Sequence, residues 1–214
     1  MQWNPNILNK FIAPGITEFT EADIPDLSND YPQAPYWLVN HFLNNALGSC
    51  SFKNRWRQVV LAYLRRAHNA FHAYHEARAS TFGYLENNNP LHPQISKYFK
   101  ALSCWENFSL QMSMAMDLFK MLNEDVGAFK KNDGSKEQRL YGIANMIKHT
   151  ASAVKSGQCK ESDTVPLWLS NHGLHSFDSV ISYVEVSEVL GDASKLAEDY
   201  QDPYSLREKW TNNA

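Results

Sequence analysis

Proline is almost absent from the long central part of this 214-residue chain. Between residues 36 and 165 only Pro90 and Pro93 occur, whereas residues 1–35 hold five of the nine prolines. Because proline removes a backbone donor and clashes with the preceding turn, a stretch without it can form very long helices. We therefore expect long helices in the centre and an irregular arm over residues 1–35. Side chains that would seat this arm on the core are Trp3, Ile7, Phe11 and Ile12.

Apolar residues recur at three- and four-residue steps over four stretches of the chain, which is the spacing of an amphipathic helix. The predicted helices cover residues 36–47, about 51–86, 93–125 and 135–155. Ser51 and Ser135 stand where they would cap the second and fourth helices. The third helix carries apolar residues on two sides, which favours a central position in a bundle.

The spacing changes after residue 164. Residues 165–170 (VPLWLS) and 179–186 (SVISYVEV) predict two short strands around a turn at 171–173. A last helix is expected over about 186–199, interrupted by Gly191. The predicted fold class is all-α: a helical bundle of four main helices with a small C-terminal β-hairpin and a terminal helix. The domain spans residues 36–200, with the hairpin at about 165–186, between the arm at 1–35 and a tail at 201–214.

Charge is distributed unevenly although the net charge is only −3. Residues 53–78 carry a net charge of +5, whereas residues 1–35 carry −4 and residues 160–214 carry −6. The basic stretch either meets an anionic partner or pairs with the acidic ends of the same chain.

Several classes of protein are disfavoured by the composition. Cys50, Cys104 and Cys159 are scattered without a CxxC pair, so neither a disulfide framework nor a zinc ribbon is expected. The N-terminus does not resemble a signal peptide, and the longest aliphatic run of about six residues is too short to span a bilayer. No glycine-rich phosphate loop or GxSxG motif occurs. We expect a cytoplasmic protein with no membrane contact and no cofactor.

The fourth predicted helix carries the first candidate site. Asn145 and His149 are four residues apart and therefore share a helix face, which Gly142 and Ser152 continue. Imidazole suits proton transfer near neutral pH, and an amide beside it can hold a phosphate. A solvated histidine, or one in a subunit interface, explains the same spacing.

This Asn-x-x-x-His pattern resembles the HEPN superfamily (higher eukaryotes and prokaryotes nucleotide-binding). Two other segments are similar to members of the family: Ala101–Glu106, at the start of a long helix, and Pro166–Leu174, after the fourth helix. The resemblance covers about residues 52–200. It implies a helical domain that forms a homodimer. In active members it implies metal-independent cleavage of RNA across the dimer interface, by an arginine and a histidine from each subunit.

The family signature is an arginine followed after four to six residues by histidine, often with a polar residue after the arginine. Asn145 matches the polar position and His149 the histidine, but Ala144 stands at the arginine position. The resemblance therefore implies a degenerate ribonuclease site in an RNA-associated or protein-interaction module, with Asn145 and His149 catalytic only if the protein is active. Lys148, Arg65 and Arg66 are the residues expected to contact nucleic acid or a partner.

Two alternatives remain open. The first is an active ribonuclease in which Arg65, Arg66 or Arg139 replaces the missing arginine in space. The second is a metal-binding bundle, because His68, His72 and His75 lie at i, i+4 and i+7 on the second helix. Imidazoles at these spacings can share a metal ion. No Glu-x-x-His pair accompanies them, however, so we expect that no metal is bound.

Overall fold

A computed structural model gives the fold of residues 4–47, 54–86, 88–89, 92–124, 126–157 and 165–201. Within these residues the chain is mostly helical with a small three-stranded antiparallel sheet, so the all-α expectation is confirmed at this level. The predicted cap Ser51, Trp3 of the arm and residues 202–214 of the tail lie outside the described residues. The elements are α1 (Pro5–Phe11), a 3₁₀ turn (Ala34–Tyr36), α2 (Trp37–Leu47), α3 (Asn54–Leu85), α4 (Ile95–Leu122), α5 (Lys136–Lys148), α6 (Thr150–Lys155), β1 (Trp168–Leu169), β2 (Gly173–His175), β3 (Val180–Ser182) and α7 (Tyr183–Gln201).

Two long helices form the centre of the molecule. α3 has 32 residues and α4 has 28, as the lack of proline predicts. The predicted apolar stripe of α3 is buried from Val60 to Tyr74, whereas Trp56 is partly exposed. Both predicted sides of α4 contribute to the core, with Trp105 and Phe108 fully buried and Cys104, Leu118 and Phe119 partly exposed. α3 packs along α4 and contacts α7, while α5 packs on α4 and α7. α4 therefore lies between α3 and α5.

The N-terminal arm is less irregular than expected and is part of the core. It begins with α1, where the Asn4 side chain accepts a hydrogen bond from the backbone N–H of Asn6. Leu8 of α1 is buried, whereas Ile7 and Phe11 are exposed, so the expectation that these two side chains seat the arm is wrong. The arm is instead buried through residues further along, at Ile16, Phe19, Ile24 and Leu27.

The predicted hairpin is wrong, because a third strand lies where the turn was expected. β1 pairs with β2 and β2 with β3, all antiparallel, so the two predicted strands do not pair with each other. Gly173 is the reason that this segment can be a central strand. A Cβ atom there would lie 2.0 Å from the carbonyl oxygen of Ile181, so only glycine permits this close approach.

The terminal helix begins earlier than predicted, at Tyr183, because Ser182 and Glu185 form a capping box. The N–H of Glu185 donates to Ser182 Oγ at 3.2 Å, and Glu185 Oε2 accepts from the N–H of Ser182 at 3.0 Å. The expected interruption at Gly191 is also wrong. Gly191 is buried within α7, and its carbonyl accepts a hydrogen bond from Tyr31 Oη at 2.9 Å.

The fourth predicted helix, 135–155, is divided into α5 and α6 at His149. Its start is confirmed, because Ser135 Oγ accepts from the N–H of Gln138 at 3.2 Å. At His149 the backbone leaves helical geometry (φ −114°, ψ 20°). Thr150 Oγ1 donates to the carbonyl oxygens of Met146 and Ile147, a local bond that competes with the regular helix.

Candidate functional site

The break between α5 and α6 places the predicted histidine at the surface. His149 is exposed, and its side chain has no hydrogen bond or ion pair with any described residue. Asn145, one turn earlier, is half-buried, and its carbonyl still accepts the N–H of His149 at 2.9 Å. An anion approaching this surface therefore meets an imidazole that no described side chain engages.

The basic residues of this surface have no acidic residue near them in the sequence. Residues 138–157 contain Arg139, Lys148 and Lys155 and no aspartate or glutamate. We call the exposed part of α5 and α6 around Asn145, Lys148, His149 and Lys155 the α5–α6 surface. A surface patch that carries only positive charges raises the local concentration of anionic ligands.

The position that corresponds to the family's arginine points away from this surface. Ala144 is fully buried, as is the neighbouring Ile143. An arginine at residue 144 would therefore enter the core and not reach a ligand beside His149. The departure from the signature at this position agrees with the way in which α5 packs.

Arg139 does not replace the missing arginine within the chain. Its guanidinium pairs with Glu185 of α7 and donates to the carbonyl oxygen of Val180 at 2.8 Å. The hydrogen bond from Arg139 lowers the pKa of Glu185 to about 2. In addition, Arg139 is ten residues before His149, a separation of about 15 Å along a helix. The charge of Arg139 therefore stabilises the contact between α5 and α7.

Lys148 is part of the α5–α6 surface but is anchored to α4. Its Nζ donates to Ser113 Oγ at 2.8 Å and lies 5.7 Å from the centroid of the Tyr141 ring. Ser113 is fully buried. The lysine therefore presents its charge from a fixed position beside Tyr141.

Arg65 and Arg66 lie on a different side of the molecule from His149. Arg66 Nη1 donates to Gln111 Oε1 of α4 at 3.0 Å, whereas Lys148 contacts Ser113. Gln111 and Ser113 are two residues apart, about 200° around the helix axis, so they face opposite flanks of α4. Arg65 is exposed on the α3 flank. The predicted contact residues therefore do not form one surface.

The three histidines of α3 are brought together only in part. The rings of His68 and His72 are 4.4 Å apart, but His68 Nδ1 is bonded to the carbonyl oxygen of Ala34 at 3.1 Å. His75 lies 3.9 Å from Asp26 of the arm and packs on the Phe71 ring. Over the part of the chain that the structure describes, no group of three His, Cys, Asp or Glu side chains is placed to hold a metal ion. The metal-binding alternative lacks its ligand set there.

One close pair of reactive side chains is not evident from the sequence. Ser170 Oγ lies 2.7 Å from Nε2 of His175, where β1 turns into β2. The same Oγ accepts the backbone N–H groups of His172 and Gly173 at 3.2 and 3.3 Å. These donors draw electron density from the oxygen and make it a weak nucleophile, so the pair stabilises the turn. The polar turn itself is the only signal in the sequence, since the pairing depends on the register of β1 and β2.

Comparison with known proteins does not identify a relative. No protein-family model, curated protein or solved structure matches this chain. In the described ranges, no helix is both long enough and apolar enough to cross a membrane. The function is therefore inferred from the chain's own residues.

Proposed function

We propose that this chain is a HEPN-like domain that binds RNA without cleaving it. In this proposal α3, α4, α5 and α7 are the four main helices of the bundle, and the α5–α6 surface is the RNA contact. The observation that carries the proposal is an exposed His149, without a partner among the described residues, flanked by Lys148 and Lys155 in a stretch without acids, with the arginine position turned into the core. Phosphate contacts of lysine and histidine account for binding.

The absence of cleavage follows from the positions of the arginines. Stabilising the charge that develops on a scissile phosphate requires a donor aimed at it. Ala144 has no donor, Arg139 is paired with Glu185, and Arg66 is bonded on the opposite flank of α4. His149 alone can transfer a proton but cannot supply this stabilisation.

A homodimer that works in the cytoplasm is also part of this proposal. Gly142, at the start of the face predicted from the sequence, is covered by its own chain, because a Cβ atom there would lie 3.0 Å from Ser179 Oγ. In this proposal the second subunit packs against the exposed half of that face, at Ser152 and beside His149. The free thiol of Cys104 is compatible with a reducing compartment.

The test is a titration of a labelled 20-nucleotide single-stranded RNA with the purified chain in EDTA, followed by anisotropy and by gel analysis of the RNA. We expect salt-dependent binding and intact RNA. Replacing both His149 and Lys155 by alanine should weaken binding about tenfold and lower the slope of log K against log salt by about 0.7 for each phosphate that is no longer neutralised. Lys100→Ala is the matched control, because Lys100 is exposed at the far end of α4.

Two results would replace this proposal. Cleavage in EDTA that His149→Ala abolishes would identify an active ribonuclease, with its arginine supplied by a second subunit. A failure of the wild-type chain to bind RNA at any salt concentration would leave a protein-interaction module as the better description of the α5–α6 surface.

A further inference from the structure

A surface cleft lies between the C-terminal part of α4 and the loop that precedes α5. Its volume is about 660 Å³, and its lining includes residues 116–117, 120, 126–130, 133 and Tyr141. Small-molecule sites in proteins occupy about 300–1,000 Å³. The cleft is therefore large enough to hold a ligand of the size of one nucleotide.

Two aromatic rings form part of the wall of this cleft. The centroids of Phe129 and Tyr141 are 5.1 Å apart, with the ring planes inclined by 53°. Both side chains are partly exposed. The Tyr141 hydroxyl donates to Asp117 Oδ1 at 2.9 Å, which fixes the ring. Aromatic rings held at a surface in this way are the platforms on which nucleic-acid bases stack.

Two lysines of the cleft have no acidic partner among the described residues. Lys120 and Lys130 are exposed, and neither makes an ion pair with a described carboxylate. The nearby Asp133 is engaged by its own loop, because it accepts from Ser135 Oγ at 2.6 Å and from the N–H of Lys130 at 2.7 Å. Hydrogen bonds from Ser135 lower the pKa of Asp133. The lowered pKa keeps Asp133 ionised, so its carboxylate offsets part of the positive charge of the cleft, and the ammonium groups of Lys120 and Lys130 can contact an external anion.

The cleft adjoins the α5–α6 surface through Tyr141. Lys148, seven residues further along α5, lies 5.7 Å from the centroid of the same ring. Residues at i and i+7 share a helix face. An RNA strand that contacts Lys148 and His149 can therefore reach the cleft without crossing another helix or strand of the protein.

We propose that this cleft holds one nucleotide of the bound RNA, with its base against Phe129 and Tyr141 and its phosphate between Lys120 and Lys130. This inference rests on the proposed function and assigns the cleft as the subsite that recognises one base of the RNA. Oδ2 of Asp117 is not bonded to Tyr141, and Oδ1 keeps a second lone pair beside that bond, so the carboxylate can accept two adjacent N–H donors from the edge of a base. Guanine presents two adjacent donors, so the cleft favours guanine over uracil.

The first test uses guanosine 5′-monophosphate as the probe and isothermal titration calorimetry of the full chain. We expect binding that Phe129→Leu weakens about tenfold, because leucine offers no aromatic face on which the base can stack. Lys120→Ala and Lys130→Ala should each weaken it several-fold and reduce its salt dependence. Lys100→Ala, about 30 Å away along α4, should leave it unchanged.

Asp117→Asn tests how the base is read. Asparagine still accepts from Tyr141 but loses the charged oxygen that guanine would use. We expect the preference for guanosine over uridine monophosphate to fall to near unity, while the affinity for uridine monophosphate stays the same. An equal loss for both nucleotides would overturn the base contact.

The same variants are then tested with the 20-nucleotide RNA in EDTA. Weaker RNA binding by Phe129→Leu and Lys130→Ala, but not by Lys100→Ala, supports the subsite. If the wild-type chain binds RNA and these variants bind it equally well, the subsite is wrong and the proposed function stands. If the chain binds the mononucleotide with the expected losses but no RNA, the proposed function fails and the cleft remains a nucleotide site.

Discussion

Two histidine-bearing surfaces of this chain have opposite surroundings. On α3, the N-terminal arm contacts His68, His75 and Arg78, whereas His72 between them is exposed. Tyr74 Oη and Arg78 Nε donate to the carbonyl oxygens of Pro25 and Ile24 at 2.8 and 2.9 Å, and Arg78 pairs with Asp26 at 3.1 Å. On α5 and α6, His149 has no partner in the described chain, and residues 138–157 contain no acid.

The difference between the two surfaces is set by where the acidic segments pack. The acidic arm supplies Asp26 to α3, and α7 of the acidic C-terminal region supplies Glu185 to Arg139 and two carboxylates, Glu188 and Asp192, to Lys136. Part of the charge asymmetry in the sequence is therefore neutralised within the chain. Beyond Arg139, Lys148 and Lys155 make no ion pair with a described carboxylate. Histidine and basic residues thus hold the arm on α3, whereas on the α5–α6 surface the same residue types are available to a ligand.

The largest loss of stability is expected from a substitution at Ala144, next to the α5–α6 surface. Ala144→Arg supplies the arginine of the HEPN signature but places a charge at a fully buried position, where desolvation and crowding oppose it. We expect a loss of about 3–5 kcal/mol in the free energy of unfolding, measured by urea denaturation.

The matched control for this substitution is Ala151→Arg, because Ala151 is exposed on α6. It should change the free energy of unfolding by about 0.5 kcal/mol or less. A stable Ala144→Arg protein that cleaves RNA in EDTA would mean that position 144 faces the ligand surface, and the contrast between the two surfaces would disappear.

A smaller effect is expected from opening the covered flank of α3. Arg78→Ala removes the hydrogen bond to Ile24, the ion pair with Asp26 and the packing of the guanidinium on the Phe82 ring, 5.0 Å away. Because Arg78 is only partly exposed, we expect a loss of about 2 kcal/mol, and faster proteolysis within residues 20–34. Arg78→Lys, which keeps the charge but not the fork of donors, should recover only part of this loss. Equal stability of all three proteins would mean that the arm does not depend on this contact.

The sequence predicts the long helices well because their determinants are local. Absence of proline, apolar periodicity and the Ser135 cap together identify α3, α4 and the start of α5. The sheet is harder to predict because β2 depends on the close approach of Gly173 to Ile181, which no local pattern marks. The capping box of Ser182 and Glu185 is visible in the sequence, but the alternating apolar residues around it favour a strand.

The candidate site is predictable only in part, for the same physical reason. Spacing identifies Asn145 and His149 as neighbours on α5. It gives no information on which cations are neutralised by packing, because Arg139 and Arg66 find their partners on other helices. The cleft at Phe129 and Tyr141 is built from a loop and two helices, so it also has no local signature.

The covered flank of α3 should contribute to the pH dependence of stability. Burial lowers the pKa of His72 and His75, and for His75 the nearby Asp26 opposes this while Arg78 and His72 add to it. The unfolded chain therefore takes up protons near pH 6.5 that the folded chain does not, and stability falls as the pH decreases from 7 to 5. Each proton taken up contributes at most about 1.4 kcal/mol per pH unit.

The measurement is urea denaturation at several values between pH 5 and 7.5. Replacing His75 by glutamine should reduce the slope of the free energy of unfolding against pH. Part of the slope should remain, because burial also lowers the pKa of His41 and His175. An unchanged slope in the variant would show that His75 is equally protonated in the folded and unfolded states.

The smallest effect on stability is expected from replacing Lys155. This substitution should affect RNA binding at the α5–α6 surface without affecting folding. Lys155 is exposed and makes no ion pair with a described residue, so Lys155→Ala should change the free energy of unfolding by about 0.5 kcal/mol or less. RNA binding should nevertheless weaken several-fold, and its salt slope should fall by about 0.7, because one phosphate is no longer neutralised. Arg78→Ala should behave in the opposite way, with lower stability and unchanged RNA binding. If Lys155→Ala leaves RNA binding unchanged, the positive charge of α6 is not part of the contact, and the RNA must lie along α5 towards Tyr141.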